Sequence, residues 1–81
     1  MSMSDALKAS VARREIEMLI DKHNDLMLTL KEQYAAIDNA KSLSDMAKLL
    51  DAADKTEFKL EEVTHELRDY VSFCRNKGLI K

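Results

Sequence analysis

Few side chains in this 81-residue sequence have the types and the spacing of a reactive site. The best candidate is the pair Glu62 and His65, because a Glu-x-x-His spacing points two ligands at one metal in di-iron helical bundles. Such a centre needs the motif on two helices, and the N-terminal half of the chain has no second copy. Both residues also fall on the helix face opposite Leu60 and Leu67. The sequence therefore predicts no metal site and no cofactor.

His23 and Cys74 each lie within a stripe of apolar residues. A histidine there can fix the register of packed helices or make a pH-sensitive contact. The sequence favours a simpler role, a packed ring with one nitrogen bonded to a nearby threonine or glutamate. Cys74 has no histidine close by in the predicted arrangement, so we interpret it as a small core residue. The chain also lacks a Gly-rich phosphate loop and a Ser/His/Asp constellation, and we predict that it is not an enzyme.

The composition restricts the fold and the location of the chain. Hydrophobic residues make up 46% of the sequence, which is too apolar for a disordered chain. With one Gly and no Pro, tight turns and the strands that they join are scarce, so we expect an all-helical fold. The length allows one domain, 1–81. The single Cys forms no internal disulfide and favours a reducing, cytoplasmic location.

Two further properties of the sequence bear on binding to membranes and to nucleic acids. No apolar run reaches the roughly 18 residues that cross a bilayer. The net charge of −2 gives no overall attraction to nucleic acid or to an anionic membrane. We therefore expect no membrane association.

Apolar residues that recur every seven positions predict two long helices, at about 4–38 and 43–77. Between them, Asn39 tolerates the left-handed conformation that ends helices, and Ser42 can cap the next helix. Because this connection is short, the helices are expected to be antiparallel neighbours in a hairpin. The predicted seam consists of Ile16, Leu19, His23, Leu26, Leu30, Leu60, Leu67 and Cys74.

A three-helix bundle is the alternative fold. Asp54 followed by Glu57 resembles a capping box, and Thr56 and Glu57 interrupt the apolar flanks of the second stripe. A break near 54 would give shorter helices that bury their stripes within a monomer. The constant phase of the second stripe favours one continuous helix.

The hairpin leaves an energetic problem that association would solve. Two helices cover only one side of each stripe, and these stripes are wider than a two-position seam. The uncovered apolar area is of the kind that normally marks an association surface. The commonest solution is a twofold-symmetric dimer that closes a four-helix bundle. The sequence therefore predicts a homodimer.

Charges and aromatic residues point to one end of the hairpin as a partner-binding region. All four arginines lie toward the end where the chain termini meet, whereas the turn end is more acidic. An exposed aromatic side chain flanked by arginine is typical of an interface anchor. The predicted partner-binding residues are Arg13, Arg14, Arg68, Tyr70, Phe73 and Arg75.

These features favour a non-catalytic protein–protein interaction module, a small dimeric adaptor, inhibitor or regulator that acts by helix-face docking. The alternative is a nucleic-acid-binding hairpin dimer, in which arginines of two subunits form a basic patch. Acids interspersed among the arginines count against the second hypothesis. Salt distinguishes the two, because phosphate contacts weaken steeply as the salt concentration rises.

Overall fold

The computed structural model describes residues 3–80, with the backbone alone for Met3, and contains two long helices. Helix α1 covers Met3–Asp38 and helix α2 covers Leu43–Asn76. They pack against each other as a hairpin with extents of 62 × 15 × 15 Å. No strand occurs among the described residues. The prediction of an all-helical hairpin is confirmed.

The hairpin is a rod. Its Cα radius of gyration is 18.0 Å, whereas a compact domain of this length would have about 12 Å. Because no third element covers the two helices, only the line of contact between them is shielded from water. The nearly or fully buried residues along this line are Ala12, Ala53, Thr56, Val63 and Cys74.

The contact line is a narrow seam whose members are spaced alternately by three and four residues, as in a coiled coil. The predicted seam residues are half-buried, except for Cys74, which is buried. The seam also contains Ala12 and Gln33, which the apolar pattern did not single out. Nε2 of Gln33 donates to the carbonyl of Ala52 at 3.4 Å, while its Oε1 is buried without a hydrogen-bond partner among the described residues.

Helix α2 runs unbroken past Asp54, so the three-helix alternative is wrong. Thr56 is only 7% exposed, and its hydroxyl donates to the carbonyl of Ala52 one turn back, at 3.1 Å. That bond satisfies the hydroxyl within its own helix and allows a polar residue to occupy the seam. Glu57 accepts a hydrogen bond from the Tyr34 hydroxyl. The residues that suggested a break thus have partners compatible with a continuous helix.

Side chains determine how the connection between the helices begins and ends. Asn39 does not adopt the left-handed conformation expected from the sequence, since no described residue other than Gly78 has a positive φ. Instead, its side-chain amide donates to the carbonyl of Ala35 at 2.9 Å and satisfies one of the free carbonyls at the end of α1. Ser42 caps α2 as predicted, because its Oγ accepts from the Asp45 N–H at 3.1 Å.

Gly78 ends the second helix and reverses the chain. Its φ of 71° is favourable for glycine, and its N–H donates to the carbonyl of Arg75 at 3.1 Å. The N–H of Leu79 donates to the carbonyl of Cys74 at 2.8 Å, which completes a Schellman motif. Leu79 and Ile80 are consequently turned back toward the helices and are half-buried.

Candidate protein-interaction surfaces

A shallow depression lies at the end of the hairpin where the termini meet. We call it the terminal patch. Its apolar residues come from the start of α1 and the end of α2, and Leu7, Val11 and Phe73 are 66%, 53% and 51% exposed. Lysines from both ends of the chain also line it. The full lining is Asp5, Leu7, Lys8, Val11, Phe73, Lys77 and Leu79.

Phe73 has two side-chain neighbours at the terminal patch. Its ring stacks on that of Tyr70 with centroids 6.2 Å apart and planes inclined by 17°. Nζ of Lys77 lies 5.9 Å from the centroid of the Phe73 ring, within range of a cation–π contact. These two neighbours restrict the ring while half of it stays exposed. Such a side chain loses little conformational entropy when a partner covers it.

A second exposed apolar surface runs along one side of the rod, and we call it the lateral face. Its residues occupy the heptad position next to the seam in each helix, so all of them point to the same side. The hydrogen bond from Tyr34 to Glu57 joins the two helices across this face. The apolar members are Ile20, Met27 and Tyr34 from α1 and Leu43, Leu50 and the half-buried Val71 from α2.

The exposure of the lateral face is high for apolar side chains. Ile20, Met27 and Leu50 are 41%, 49% and 43% exposed, and Leu43 is 83% exposed at the start of α2. These residues form the outer flank of the wide stripes that the sequence displays. The opposite flank of the α1 stripe, which contains Leu19, lies in the seam.

The structure separates the six predicted partner-binding residues into different surroundings. Phe73 lines the terminal patch, and Tyr70, which is not part of the lining, stacks on its ring. Arg13 lines a second depression with Gly78 and Ile80, and Arg68 lines a third one beside His23. Arg14 and Arg75 are exposed and line none of these depressions.

Sequence reasoning missed the apolar part of the terminal patch. Leu7 and Val11 lie off the heptad stripe, so a search for the core passes over them. Their signal is the spacing of four residues, which places two apolar side chains together on a helix surface. Lys8 and Lys77 were noticeable only as charges near the arginines.

Of the candidates for chemistry, His23 and His65 line one shallow depression, and Cys74 does not line it. Glu62 and His65 are exposed, and the part of the chain that the structure describes contains no group of three or more His, Cys, Asp or Glu side chains suited to a metal. Nδ1 of His23 lies 3.4 Å from Oδ1 of Asn24, so the partner is an asparagine and not the expected threonine or glutamate. Cys74 is 0% exposed, as a core residue would be.

Both tyrosines titrate above their ordinary range. The hydrogen bond to Glu57, together with partial burial and nearby carboxylates, raises the pKa of Tyr34. Burial, a hydrogen bond to the Cys74 sulfur and the charge of Glu15 raise the pKa of Tyr70. In each case the fold favours the neutral phenol.

We therefore expect the folded chain to lose stability at alkaline pH. A folded-state pKa above the unfolded value of 10.0 means that this stabilisation is fully present below pH 10.0 and is lost as the pH rises through the folded-state pKa. Tyrosinate absorbance should titrate at higher pH in buffer than in concentrated urea. Tyr34→Phe and Tyr70→Phe assign the two transitions. Coincident titrations in buffer and urea would contradict the described hydrogen bonds.

Within residues 3–80, neither helix contains a stretch apolar enough to cross a bilayer. Comparison of the chain with models of protein families, with curated proteins and with solved structures finds no match.

Proposed function

We propose that this chain is a non-catalytic protein–protein interaction module that works as a homodimer and docks a partner on the terminal patch. One observation carries the proposal. The Phe73 ring is half-exposed above an apolar depression and is already held by Tyr70 and Lys77. Ordered aromatic side chains of this kind are enriched among the residues that dominate binding energy.

The lining of the terminal patch defines the chemistry of the partner. Leu7, Val11 and Leu79 offer apolar contact, so the partner supplies a leucine, a methionine or an aromatic residue. Lys8 and Lys77 also line the terminal patch and outnumber the one acid, Asp5, and such charges improve the rate and specificity of association. The expected ligand is a protein segment with an apolar anchor beside acidic residues. A partner of this kind fits an adaptor, an inhibitor or a regulator.

Paired phenylalanine variants test this function. Phe73→Ala removes the proposed anchor, and Phe58→Ala removes a phenylalanine of the same helix that is 63% exposed outside both surfaces. Peptides selected on the wild-type chain from a displayed random library should carry acids beside an apolar residue. They should bind Phe73→Ala at least ~10-fold more weakly and Phe58→Ala unchanged.

The same two variants can be used, beside the wild-type chain, to capture proteins from the native host. Specific partners should be lost with Phe73→Ala and kept with Phe58→Ala. Equal capture or equal peptide affinity for the two variants would contradict docking at the terminal patch.

Nucleic-acid binding is the second candidate. All four arginines are exposed, and Arg13 and Arg68 both line depressions on the side of the lateral face. Two subunits would bring more arginines onto one bundle. Glu15, Glu17 and Glu66 are also exposed nearby and offset this charge. Absence of a complex with RNA or duplex DNA in a low-salt gel shift would exclude this candidate, whereas a complex that dissociates steeply with salt would support it.

A further inference from the structure

We infer that a second copy of this chain covers the lateral face and runs antiparallel to the first copy. This inference rests on the proposed function, in which the module is a dimer, and it specifies the face and the orientation. Packing of the two lateral faces converts two hairpins into a four-helix bundle.

The solvent-accessible surface area of the hairpin is consistent with a dimer. The chain exposes 6543 Å², whereas a compact monomer of its mass would expose about 5,000 Å². A standard interface buries roughly 800 Å² on each partner. The surface area that the hairpin exposes beyond that of a compact monomer is therefore large enough for one specific interface. The lateral face supplies apolar residues for it in the middle of α1 and toward both ends of α2.

The order of residues on the lateral face indicates the orientation. In a face-to-face dimer with its twofold axis perpendicular to the helices, α1 packs on α1 and α2 packs on α2 in opposite directions. Ile20 then meets Met27 of the second copy, and Leu50 meets Val71 of the second copy. These four apolar residues each obtain an apolar partner.

A single twofold axis satisfies both sets of pairs. The midpoint between residues 20 and 27 lies near His23, and the midpoint between residues 50 and 71 lies near Leu60. His23 and Leu60 line the same shallow depression on the lateral face, so the two midpoints have the same height along the rod. The pairs on α1 and the pairs on α2 can therefore form simultaneously.

The same twofold axis also determines which polar residues of the two lateral faces meet. In the antiparallel arrangement, Arg13 meets Tyr34 of the second copy, and Glu57 meets Thr64 of the second copy. At the edges of the interface, Lys31 lies opposite Glu17 of the second copy. Opposite charges at the rim favour this pairing over wrong ones.

The ends of the two copies also fit each other. Leu43 projects from the turn end with 83% of its surface exposed. The same axis places it at the height of Gly78 in the second copy. There, a shallow depression has a lining that is mostly apolar or small, and it can receive the leucine side chain. Its members are Ala6, Ala9, Ser10, Arg13, Gly78, Leu79 and Ile80.

The parallel arrangement has fewer apolar pairs. With the twofold axis along the rod, α1 of one copy lies over α2 of the other at the same height. Met27 would then face Glu57, and Arg13 would face Val71. Apolar surface would be covered by charged groups, which opposes association.

Cross-linking tests the orientation directly. Asn24 and Glu61 are exposed and lie close to the proposed axis, so each faces the same residue of the second copy. In a Cys74→Ala background, Asn24→Cys alone and Glu61→Cys alone should form covalent dimers with a short bis-maleimide. Ser10→Cys should not, because its two copies would lie about 40 Å apart.

Two other results of the cross-linking experiment would overturn the inference. Cross-links that form only when Asn24→Cys and Glu61→Cys chains are mixed would indicate the parallel dimer. No cross-link in any sample would show that the lateral face is not covered by a second copy.

A pair of leucine variants tests the face without disturbing the fold. Leu43→Glu removes the projecting leucine at an exposed helix start, where an acid is compatible with the helix dipole. Leu28→Glu makes the same change at a leucine that is 57% exposed outside the lateral face. Because the leucine contact occurs twice, Leu43→Glu should weaken dimerisation about 100-fold or more. Leu28→Glu should leave it unchanged, and equal effects of the two variants would overturn the inference.

These variants also separate the inference from the proposed function. Leu43 does not line the terminal patch. A Leu43→Glu monomer that still binds the selected peptides would support both proposals. Loss of peptide binding by Phe73→Ala with an unaltered dimer confirms the docking site alone. A dimer that persists in Leu43→Glu contradicts only the assigned face.

Discussion

Val63→Asp is expected to abolish the helical hairpin in neutral buffer. Val63 lies in the middle of α2 and is only 3% exposed in the seam. An ionised carboxylate there would lose its hydration without gaining a cationic partner, which costs several kcal/mol. The total stability of a domain of this length is about 4–12 kcal/mol. The variant should therefore have strongly reduced helical circular dichroism and no cooperative thermal transition.

Thr29→Asp is the matched control for this experiment. Thr29 resembles valine in shape, lies within α1 and is exposed. The same carboxylate there remains in water and should change stability by about 0.5 kcal/mol or less. A Val63→Asp variant with the circular dichroism and the melting temperature of the wild type would mean that the helices do not meet along this seam.

Gln33→Leu should stabilise the hairpin by about 1–3 kcal/mol. The amide of Gln33 lies at the seam, where Nε2 has one long hydrogen bond to the Ala52 carbonyl and Oε1 has none among the described residues. A leucine removes the unsatisfied acceptor and adds apolar surface to the seam. The Ala52 carbonyl still accepts from the Thr56 hydroxyl. Urea titration, followed by circular dichroism, measures the gain.

Gln33→Glu supplies a control of nearly the same shape and opposite sign. It replaces the unsatisfied amide oxygen with a negative charge in the same confined position and should lower the free energy of unfolding. If both variants had the stability of the wild type, Gln33 would be in contact with water and not in the seam. A loss of stability in Gln33→Leu would mean that the glutamine is needed to hold the two helices in register.

The two helices were predictable because their patterns are strong. Seven-residue apolar repeats persist along both of them, and Ser42 and Gly78 are favourable residues for a helix start and a helix end. The bounds consequently agree within one residue at each end. Asn39 was less predictable, because its side chain can end a helix either through a left-handed backbone or through a bond to a carbonyl.

The apolar pattern put Leu19 and Leu26 in the predicted seam, but it could not show that Ala12 and Gln33 continue the same flank. In α1, one flank has Leu19 together with Ala12 and Gln33, and the other has Ile20 and Met27. The second flank has the more regular apolar pattern, yet it remains exposed. Small and polar residues fit a seam when the opposite helix supplies the contacts, and this depends on how the two surfaces pack.

The terminal patch was only partly predictable for a related reason. Phe73 is visible in the sequence as an aromatic beside the stripe. Its neighbours Leu7 and Val11 come from the other end of the chain, and they approach it only because the helices are antiparallel. The separation of Arg13 from Phe73 also follows from helix phase and not from their common end of the hairpin.

We propose that this hairpin associates with a second copy. Sedimentation equilibrium of the wild-type chain at micromolar to millimolar concentration tests it most directly. We expect a monomer–dimer equilibrium that approaches twice the 9.3 kDa chain mass. A mass of 9.3 kDa throughout that concentration range would contradict the claim.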